Sequence, residues 1–315
     1  GKGQYFLCVM KKITILWLLF MVAIATAKAA DSSFILKTSD NVSLYVKISG
    51  KGKPCVFVHG GPGSNAYYYQ AFQQAGSIED QVQMIYFDQR GCGRSSSPAN
   101  GDYSLGRMEK DLEEIRQHLG FTKWVVMGHS FGGVIITSYA HHYPSRVAAL
   151  LLIHCTLNVN YSMESHIHSG IQILGIADKT PYLDTTKPTM QRVGMIHDLL
   201  SQKKLWYKLM FRNQYEKDLN DTIDNPIGKS NRDFANAVWN MPEYLKDFTA
   251  LTKDIHCPVL IMAGDKDYAI GPDHYKSFAF PHKSIVIYHG GHAPFQEEPQ
   301  WYAEKVIGFF KQIKY

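Results

Sequence analysis

The chain has 315 residues, of which 45% are apolar and 19% charged, a composition that indicates an ordinary globular protein and excludes disordered and fibrous classes. Most of the formal net charge of +5 comes from four lysines in residues 1–29; the rest of the chain has 29 basic and 28 acidic side chains. Because this remainder is nearly neutral, it lacks the basic surface that binds nucleic acid or anionic membranes.

The N-terminal residues have the pattern of an export signal. Lys11 and Lys12 precede an apolar run over residues 13–25, and Ala27 and Ala29 are small residues where a signal peptidase reads the chain. The run is shorter than the roughly 18 residues of a membrane span, although an uncleaved anchor helix is the alternative. We predict cleavage after Ala29 and a periplasmic or secreted protein without stable membrane insertion.

Short apolar runs alternate with helical stretches along the rest of the chain. The predicted strands are a hairpin over 34–48 and the runs 54–58, 84–88, 124–128, 147–153, 259–263 and 284–288. Between them, apolar residues from Leu105 to Leu119 recur at helical spacing, with acidic residues on the opposite face. Alternation of this kind predicts an α/β fold with a mostly parallel sheet and helices on both faces.

One long segment lacks buried strands. Residues 156–252 contain helix formers, several prolines and scattered aromatic residues. We interpret them as a helical cap, or lid, inserted between two strands; additional helices of the main domain's outer layer are the alternative. The predicted organisation is upstream sequence and signal peptide over 1–29, a core over 30–155 and 253–315, and the cap over 156–252.

The cysteines do not indicate disulfides or a metal site. Of the four that follow residue 29, Cys55, Cys155 and Cys257 lie in or beside predicted core strands. A chain of this size does not need disulfides to fold, so we expect buried free thiols. No CxxC occurs and no histidine–cysteine cluster has zinc-like spacing, so we predict no metal and no other cofactor.

A serine lies at a position typical of a nucleophile. The sequence GHSFGG follows the strand 124–128 directly and precedes a run compatible with a helix. In this context, G-x-S-x-G is the pattern of a tight strand-to-helix turn that exposes its serine at the carboxyl edge of the sheet. Small residues at 128 and 132 leave room for the strained turn. Ser130 is therefore the predicted nucleophile.

A serine hydroxyl needs a base, and the base needs an orienting carboxylate. Asp267 and His292 each follow a predicted strand, and they come after Ser130 in the order serine, acid, histidine. Asp265 and His289 are the alternatives. We favour Asp267 as the fourth residue of G-x-x-D, and His292 because the two glycines before it let it turn toward the serine.

The loop HGGPG, over residues 59–63, follows the strand 54–58 and has an unusually bare backbone. Acyl transfer generates an oxyanion, which two backbone N–H groups stabilise if nothing blocks their approach. We predict that Gly61 and Phe131 supply these N–H groups. A phosphate-binding loop is disfavoured because no GK[ST] follows.

Five motifs in this order, HGGPG, DQRGCGRS at residues 88–95, GHSFGG, GDKD and GGH followed by EEP, resemble the α/β-hydrolase family that includes the proline iminopeptidases. The resemblance extends from about residue 34 to the C-terminus, apart from the cap. It implies removal of an N-terminal proline or another small residue from peptides through an acyl-enzyme. It also implies that Ser130, Asp267 and His292 form the triad, with Gly61 and Phe131 as the oxyanion hole.

The sequence departs from this family in two places. The family commonly reads GGSWGG where His129 and Phe131 stand here, and it often has a Trp-Glu pair in the cap where this chain has Trp239-Asn240. An aminopeptidase needs cap carboxylates to bind a free ammonium group. Candidate substrate-binding residues besides Trp239 are Glu216, Asp233 and Glu243. Solvated carboxylates on the cap surface are the alternative for each.

Two further functions remain open at this stage. An esterase, lipase or carbon–carbon bond hydrolase would use the same triad on an uncharged small molecule, and the aromatic cap favours it. A non-catalytic binding protein is disfavoured by the complete set of catalytic groups. The oligomeric state is left open.

Two charged motifs are assigned to structure. The cluster Asp88-Gln89-Arg90 is interpreted as a source of internal salt bridges. The sequence Glu297-Glu298-Pro299 is interpreted as the start of a helix, since acids suit a helix N-terminus and proline suits its first turn.

Overall fold

The computed structural model describes residues 31–73 and 78–314. The predicted export signal and its cleavage site lie outside these residues. Within them, every helix is too short or too polar to span a bilayer.

An eight-stranded sheet in the order β1-β2-β4-β3-β5-β6-β7-β8 organises the described residues. The strands are β1 (Ser32–Lys37), β2 (Ser43–Ser49), β3 (Lys53–Val58), β4 (Val82–Phe87), β5 (Trp124–Ser130), β6 (Val147–Cys155), β7 (Val259–Gly264) and β8 (Lys283–Tyr288). The pairs β1–β2 and β2–β4 are antiparallel, and the remaining pairs are parallel. The mostly parallel sheet predicted from the sequence is confirmed.

Helices cover both faces of the sheet. They are α1 (Tyr67–Gln70), α2 (Leu105–His118), α3 (Gly132–His142), α4 (Val159–Leu174), α5 (Thr180–Leu183), α6 (Thr189–Gln202), α7 (Gln214–Thr222), α8 (Asp233–Ala237), α9 (Pro242–Leu245), α10 (Pro294–Glu297) and α11 (Pro299–Gln312). Alternate residues of β3 point to opposite faces: Val56 and Val58 pack in one apolar cluster with α2 and α3. Cys55 and Phe57 pack in another with α1 and α11. The sheet is therefore buried on both faces, which explains its continuous apolar strands.

Helix α2 buries its predicted apolar stripe, but part of its acidic face is buried as well. Asp111 binds Arg90 at 2.6 Å and Arg107 at 3.0 Å, and Arg90 also binds Asp40 at 2.8 Å. A carboxylate is tolerated in such a place when arginines satisfy it. This network agrees with the structural role that the sequence predicted for the cluster of Arg90.

The regular elements between β6 and β7 are helices. In addition, Asn231 of this segment forms an isolated β-bridge with Gly93, which lies between β4 and β5. Helices α4 and α6 pack around a small apolar cluster of their own, which includes Ile167 and Ile196. Farther along, Phe234 and Tyr244 join the main core. The division of the chain into a core and a cap over residues 156–252 stays a prediction.

Candidate active site

Ser130 is the last residue of β5, and α3 begins two residues later. Its φ of +57° is a left-handed conformation that is rare for residues other than glycine. A Cβ on Gly132 would lie 2.2 Å from the carbonyl oxygen of Val58, and one on Gly128 would lie 2.9 Å from Cδ1 of Ile136. The turn therefore requires the small residues that flank the serine in the sequence.

The structure brings His292 and Asp267 together. The imidazole Nδ1 of His292 donates to Oδ2 of Asp267 at 2.9 Å, and the backbone N–H of Ile270 donates to Oδ1 at 3.2 Å. Burial alone would raise the pKa of Asp267, but the nearby charge of His292 and the hydrogen bonds from His154 and His292 lower it well below the usual range. A permanently charged acceptor thus holds the His292 ring.

The alternative pair lies at the surface. His289 binds Asp265 at 2.8 Å, but the His289 side chain is 87% exposed. The His292 side chain is only 6% exposed. Burial therefore favours Asp267 and His292, because hydrogen bonds of charged groups are stronger away from solvent.

Ser130, His292 and both residues of the predicted oxyanion hole, Gly61 and Phe131, line one cavity of about 460 Å³, called here the site cavity. The loop of Gly61 lies directly against the serine turn: a Cβ on Gly60 would approach Cβ of Ser130 to 2.8 Å. Gly61 itself has a φ of +131°. The loop therefore needs glycine at both positions, which explains its bare sequence.

A chain of hydrogen bonds through His129 was not foreseen from the sequence. Nε2 of His129 lies 2.9 Å from the carbonyl oxygen of His292, and Nδ1 lies 2.8 Å from the hydroxyl of Tyr68. A carbonyl only accepts, so Nε2 carries the proton and Nδ1 accepts from Tyr68. Tyr68 accepts in turn from the N–H of Gly60 at 2.9 Å. Burial, and then the neighbouring His292, lower the pKa of His129 well below its usual value.

Glu297 has a position that its sequence motif did not predict. Pro299 begins α11, as expected, but the buried Glu297 carboxylate accepts from the N–H of Gly291 at 3.1 Å and from the hydroxyl of Tyr288 at 3.2 Å. The N–H of His292 donates to the cap carbonyl of Met210 at 2.7 Å. Glu297 and the cap thus fix the loop that presents His292.

The structure does not place three of the predicted substrate-binding residues at the site cavity. Trp239 lines the cavity, but Glu216, Asp233 and Glu243 are absent from its lining. Glu216 is buried against Arg212 at 2.9 Å, Asp233 binds the Ser97 hydroxyl at 2.5 Å, and Glu243 accepts from the first N–H of α2 at 3.2 Å. Each carboxylate has a hydrogen-bond partner away from the cavity lining. Substrate binding by these three residues stays a prediction that their placement does not support.

A different carboxylate faces the site cavity. Within the described residues, Asp224 supplies the one carboxylate of the cavity lining, and its Oδ2 accepts from the side-chain amide of Asn65 at 2.9 Å. Asp224 follows α7 in an irregular stretch, so no periodicity or motif marked it in the sequence. Asn65 lies two residues after the glycine loop 59–63, and its hydrogen bond connects Asp224 to that loop.

Much of the cavity wall contributed by the cap is apolar. Its larger apolar residues are Met163, Met190, Val193, Trp206, Met210, Phe211 and Trp239. Two histidines interrupt this wall: Nδ1 of His166 lies 2.9 Å from Nε2 of His197, while Nε2 of His166 binds the carbonyl oxygen of Ala269 at 2.9 Å. Burial, followed by the neighbouring His197, lowers the pKa of His166 to about 4. The pair is therefore neutral near pH 7.

Among residues 31–73 and 78–314, one group of histidine and carboxylate side chains has atoms close enough together for a metal ion. His154, Asp267 and His292 place their nearest nitrogen and oxygen atoms within 4.8 Å of one another. Hydrogen bonds from both imidazoles to the carboxylate account for this arrangement. That the protein uses no metal or cofactor stays a prediction.

Comparison with known proteins agrees with the observed fold. The model of the α/β hydrolase fold family matches residues 53–299. The chain belongs to this family. It is 26% identical over 276 residues to a proline iminopeptidase of Heyndrickxia coagulans, covering 84% of this chain and 93% of the relative. A proline iminopeptidase of Lactobacillus delbrueckii subsp. bulgaricus is also 26% identical, over 284 residues, with 84% and 92% covered.

Solved structures show the same fold. A proline iminopeptidase-related protein of Thermus thermophilus has a TM-score of 0.73 at 18% identity, with 90% of this chain and 98% of that chain covered. An esterase of Exiguobacterium antarcticum has a TM-score of 0.66 at 21% identity, with 89% and 100% covered. The family and the curated relatives together identify the chain as a serine hydrolase.

Proposed function

We propose that this serine hydrolase is an exported aminopeptidase that removes an N-terminal proline or another small residue from peptides. The observation that carries the proposal is the placement of Asp224, a carboxylate, in the same cavity as Ser130 and His292. The similarity to proline iminopeptidases over 84% of this chain supports it. The pattern of residues 1–29 supports export to the periplasm or the exterior.

In the proposed mechanism, Asp267 holds the Nδ1–H of His292, so Nε2 is free to accept the proton of Ser130. The Ser130 oxygen attacks the carbonyl carbon of the first peptide bond. The N–H groups of Gly61 and Phe131 stabilise the oxyanion. His292 then protonates the departing amine of the shortened peptide. Water, deprotonated by the same histidine, attacks the acyl-enzyme and releases the N-terminal residue.

Recognition of the amine is assigned to Asp224. A free N-terminus is a cation, and a carboxylate in a largely apolar cavity binds a cation more strongly than a solvated one does. Asn65 occupies Oδ2 of Asp224, which fixes the group and leaves Oδ1 for the substrate. The apolar wall beside Trp239 suits the carbon atoms of a proline ring.

An esterase is the second candidate, since the cap contributes an apolar wall that suits an uncharged acyl group or alcohol. Ser130, His292 and Asp267 would attack the ester carbonyl by the same mechanism. The two functions differ in one respect: an ester without an amine makes no use of the charge on Asp224.

The deciding experiment compares hydrolysis of a prolyl arylamide, its amine-blocked form and a short-chain ester by the mature protein from Ala30. For an aminopeptidase, we expect rapid arylamide cleavage that blocking the amine abolishes. Asp224→Asn keeps an oxygen for Asn65 but removes the charge, so kcat/KM for the arylamide should fall roughly 10- to 100-fold. Cleavage of the ester alone would refute the aminopeptidase and establish the esterase.

A matched control separates charge in the site cavity from charge on the cap. Asp233 is a cap carboxylate whose partner is Ser97 and which lies outside the cavity lining. Asp233→Asn should leave arylamide cleavage unchanged. An equal loss in both variants would mean that Asp224 does not bind the amine.

A further inference from the structure

A second histidine contacts the carboxylate of the proposed triad. His154 lies near the end of β6, is fully buried, and donates through Nδ1 to Oδ2 of Asp267 at 3.1 Å. This is the same oxygen that His292 Nδ1 contacts at 2.9 Å. Asp267 thus receives two imidazole donors on one oxygen, whereas orienting the base requires one.

The fold tolerates several unfavourable features to keep His154 there. Its φ is +47°, a left-handed conformation that is uncommon for residues other than glycine. Its Nε2 is buried and has no hydrogen-bond partner among the described residues. The ring is also tightly packed: a Cβ on Gly264 would lie 2.7 Å from Cε1 of His154, and equally close to the carbonyl oxygen of Gly290. An apolar side chain would avoid the unsatisfied nitrogen, so packing alone does not explain the histidine.

The tautomer of His154 follows from its surroundings. Burial lowers the pKa of the imidazole, and the hydrogen bond to Asp267 opposes this only in part. The ring is therefore neutral, with its proton on the nitrogen that faces the carboxylate. A neutral N–H directed at Oδ2 withdraws part of the negative charge that His292 would otherwise experience.

Two carboxylates also lie near the triad: Glu297 accepts from the N–H of Gly291, next to His292, and Asp224 lines the site cavity. The histidine, cysteine and tyrosine groups around the triad are neutral near pH 7. His129 of β5 lies with its ring centroid 4.5 Å from that of His292, and burial lowers the pKa of both His129 and His166 of α4. Burial raises the pKa of Cys155 and of Tyr288. Asp267 is the carboxylate that is hydrogen-bonded to the His292 ring, so a change in its charge acts directly on the group that takes up the proton.

We propose that His154 is a positioning residue that fixes Asp267 and, by sharing its charge, keeps His292 unprotonated and active at lower pH than a single-donor triad would allow. The proposal rests on the proposed function, since it assumes that His292 is the base. Its consequence is a shift in the pH dependence of hydrolysis, which a structural role alone would not cause.

The test measures kcat/KM against pH for His154→Leu and His154→Asn, with whichever of the arylamide or ester the mature enzyme cleaves. Leucine removes the donor, so the acid limb of the profile should move up by roughly 0.5 to 1 pH unit. Asparagine keeps an N–H donor and tolerates a left-handed φ. The acid limb of the asparagine variant should therefore lie at the same pH as that of the parent enzyme. Lower activity at every pH with an unmoved limb in the leucine variant would overturn the proposal.

A second measurement does not depend on the leucine variant folding or on activity. In the parent protein with ¹⁵N-labelled histidine, we expect two slowly exchanging low-field imidazole protons, one on His154 Nδ1 and one on His292 Nδ1. His154→Asn should remove one of them. A single such proton in the folded parent would refute the shared carboxylate. If Ser130→Ala still hydrolyses substrate, the proposed function fails while this result stands.

Discussion

The carboxyl edge of the sheet and the helical chain between β6 and β7, the predicted cap, differ in how their candidate functional groups are positioned. At the sheet edge, Ser130 ends β5, while Asp267 and His292 follow β7 and β8. Parallel strands bring such positions together whatever the intervening sequence is. In the cap, the packing of short helices decides which carboxylate faces the cavity. Asp224 does so, whereas Glu216 does not. The positions predicted for catalysis are thus set by topology, and the position proposed for recognition is set by tertiary packing.

The largest expected effect concerns the nucleophile. Ser130→Ala removes the attacking oxygen, so we expect hydrolysis of every substrate to fall by roughly 10⁴-fold or more. Alanine fits the space of serine, and the fold should be retained. Initial rates with the arylamide and the ester measure the first effect, and thermal unfolding measures the second. Turnover close to that of the parent would show that Ser130 is not the nucleophile.

The next effect concerns the backbone that presents the serine. In Gly132→Ala, the new Cβ would lie 2.2 Å from the carbonyl oxygen of Val58. The backbone fixes the positions of both atoms, so rotation of a side chain cannot relieve the clash. We expect a loss of about 3 kcal/mol in the free energy of unfolding, measured by denaturant titration.

Gly106→Ala is the matched control for this substitution. Gly106 lies in α2, and a Cβ there has no neighbour within 4 Å. Alanine should stabilise the helix by up to ~1 kcal/mol. Equal stability of the two variants would show that the serine turn does not need its glycine.

These two regions also explain what the sequence could predict. The strands, the candidate triad residues near their ends and the glycine turns were predictable because each leaves a local signal in the sequence. The signals are, in turn, an apolar run, a reactive residue close to the end of such a run, and a cluster of glycines. The chain Tyr68–His129–His292 and the contacts of His154 were not predictable, since they join residues on separate elements. Glu243 was predicted to bind substrate, but its carboxylate accepts from the N–H of the first residue of α2 instead. The sequence did not indicate this contact either, because the two residues are distant along the chain.

The smallest expected effect tests the junction between the two regions. His274 follows β7, its ring stacks on Tyr161 of the cap with centroids 4.5 Å apart, and its Nε2 accepts from the N–H of Leu157 at 3.0 Å. Burial lowers the pKa of His274 to about 4.

Between pH 4 and the ordinary value of about 6.5, the unfolded chain binds a proton at this position and the folded chain does not. Stability is therefore lost as the pH falls through this window, by about 1 kcal/mol between pH 7.5 and 5.5 for His274 alone. His274→Gln keeps an acceptor for Leu157 but does not titrate, so the variant should lose less free energy of unfolding over that interval, as measured by denaturant titration at both pH values. Other buried histidines lower stability in the same direction, which makes the difference between variant and parent the decisive quantity. An identical loss in both would show that the pKa of His274 is not lowered in the folded protein.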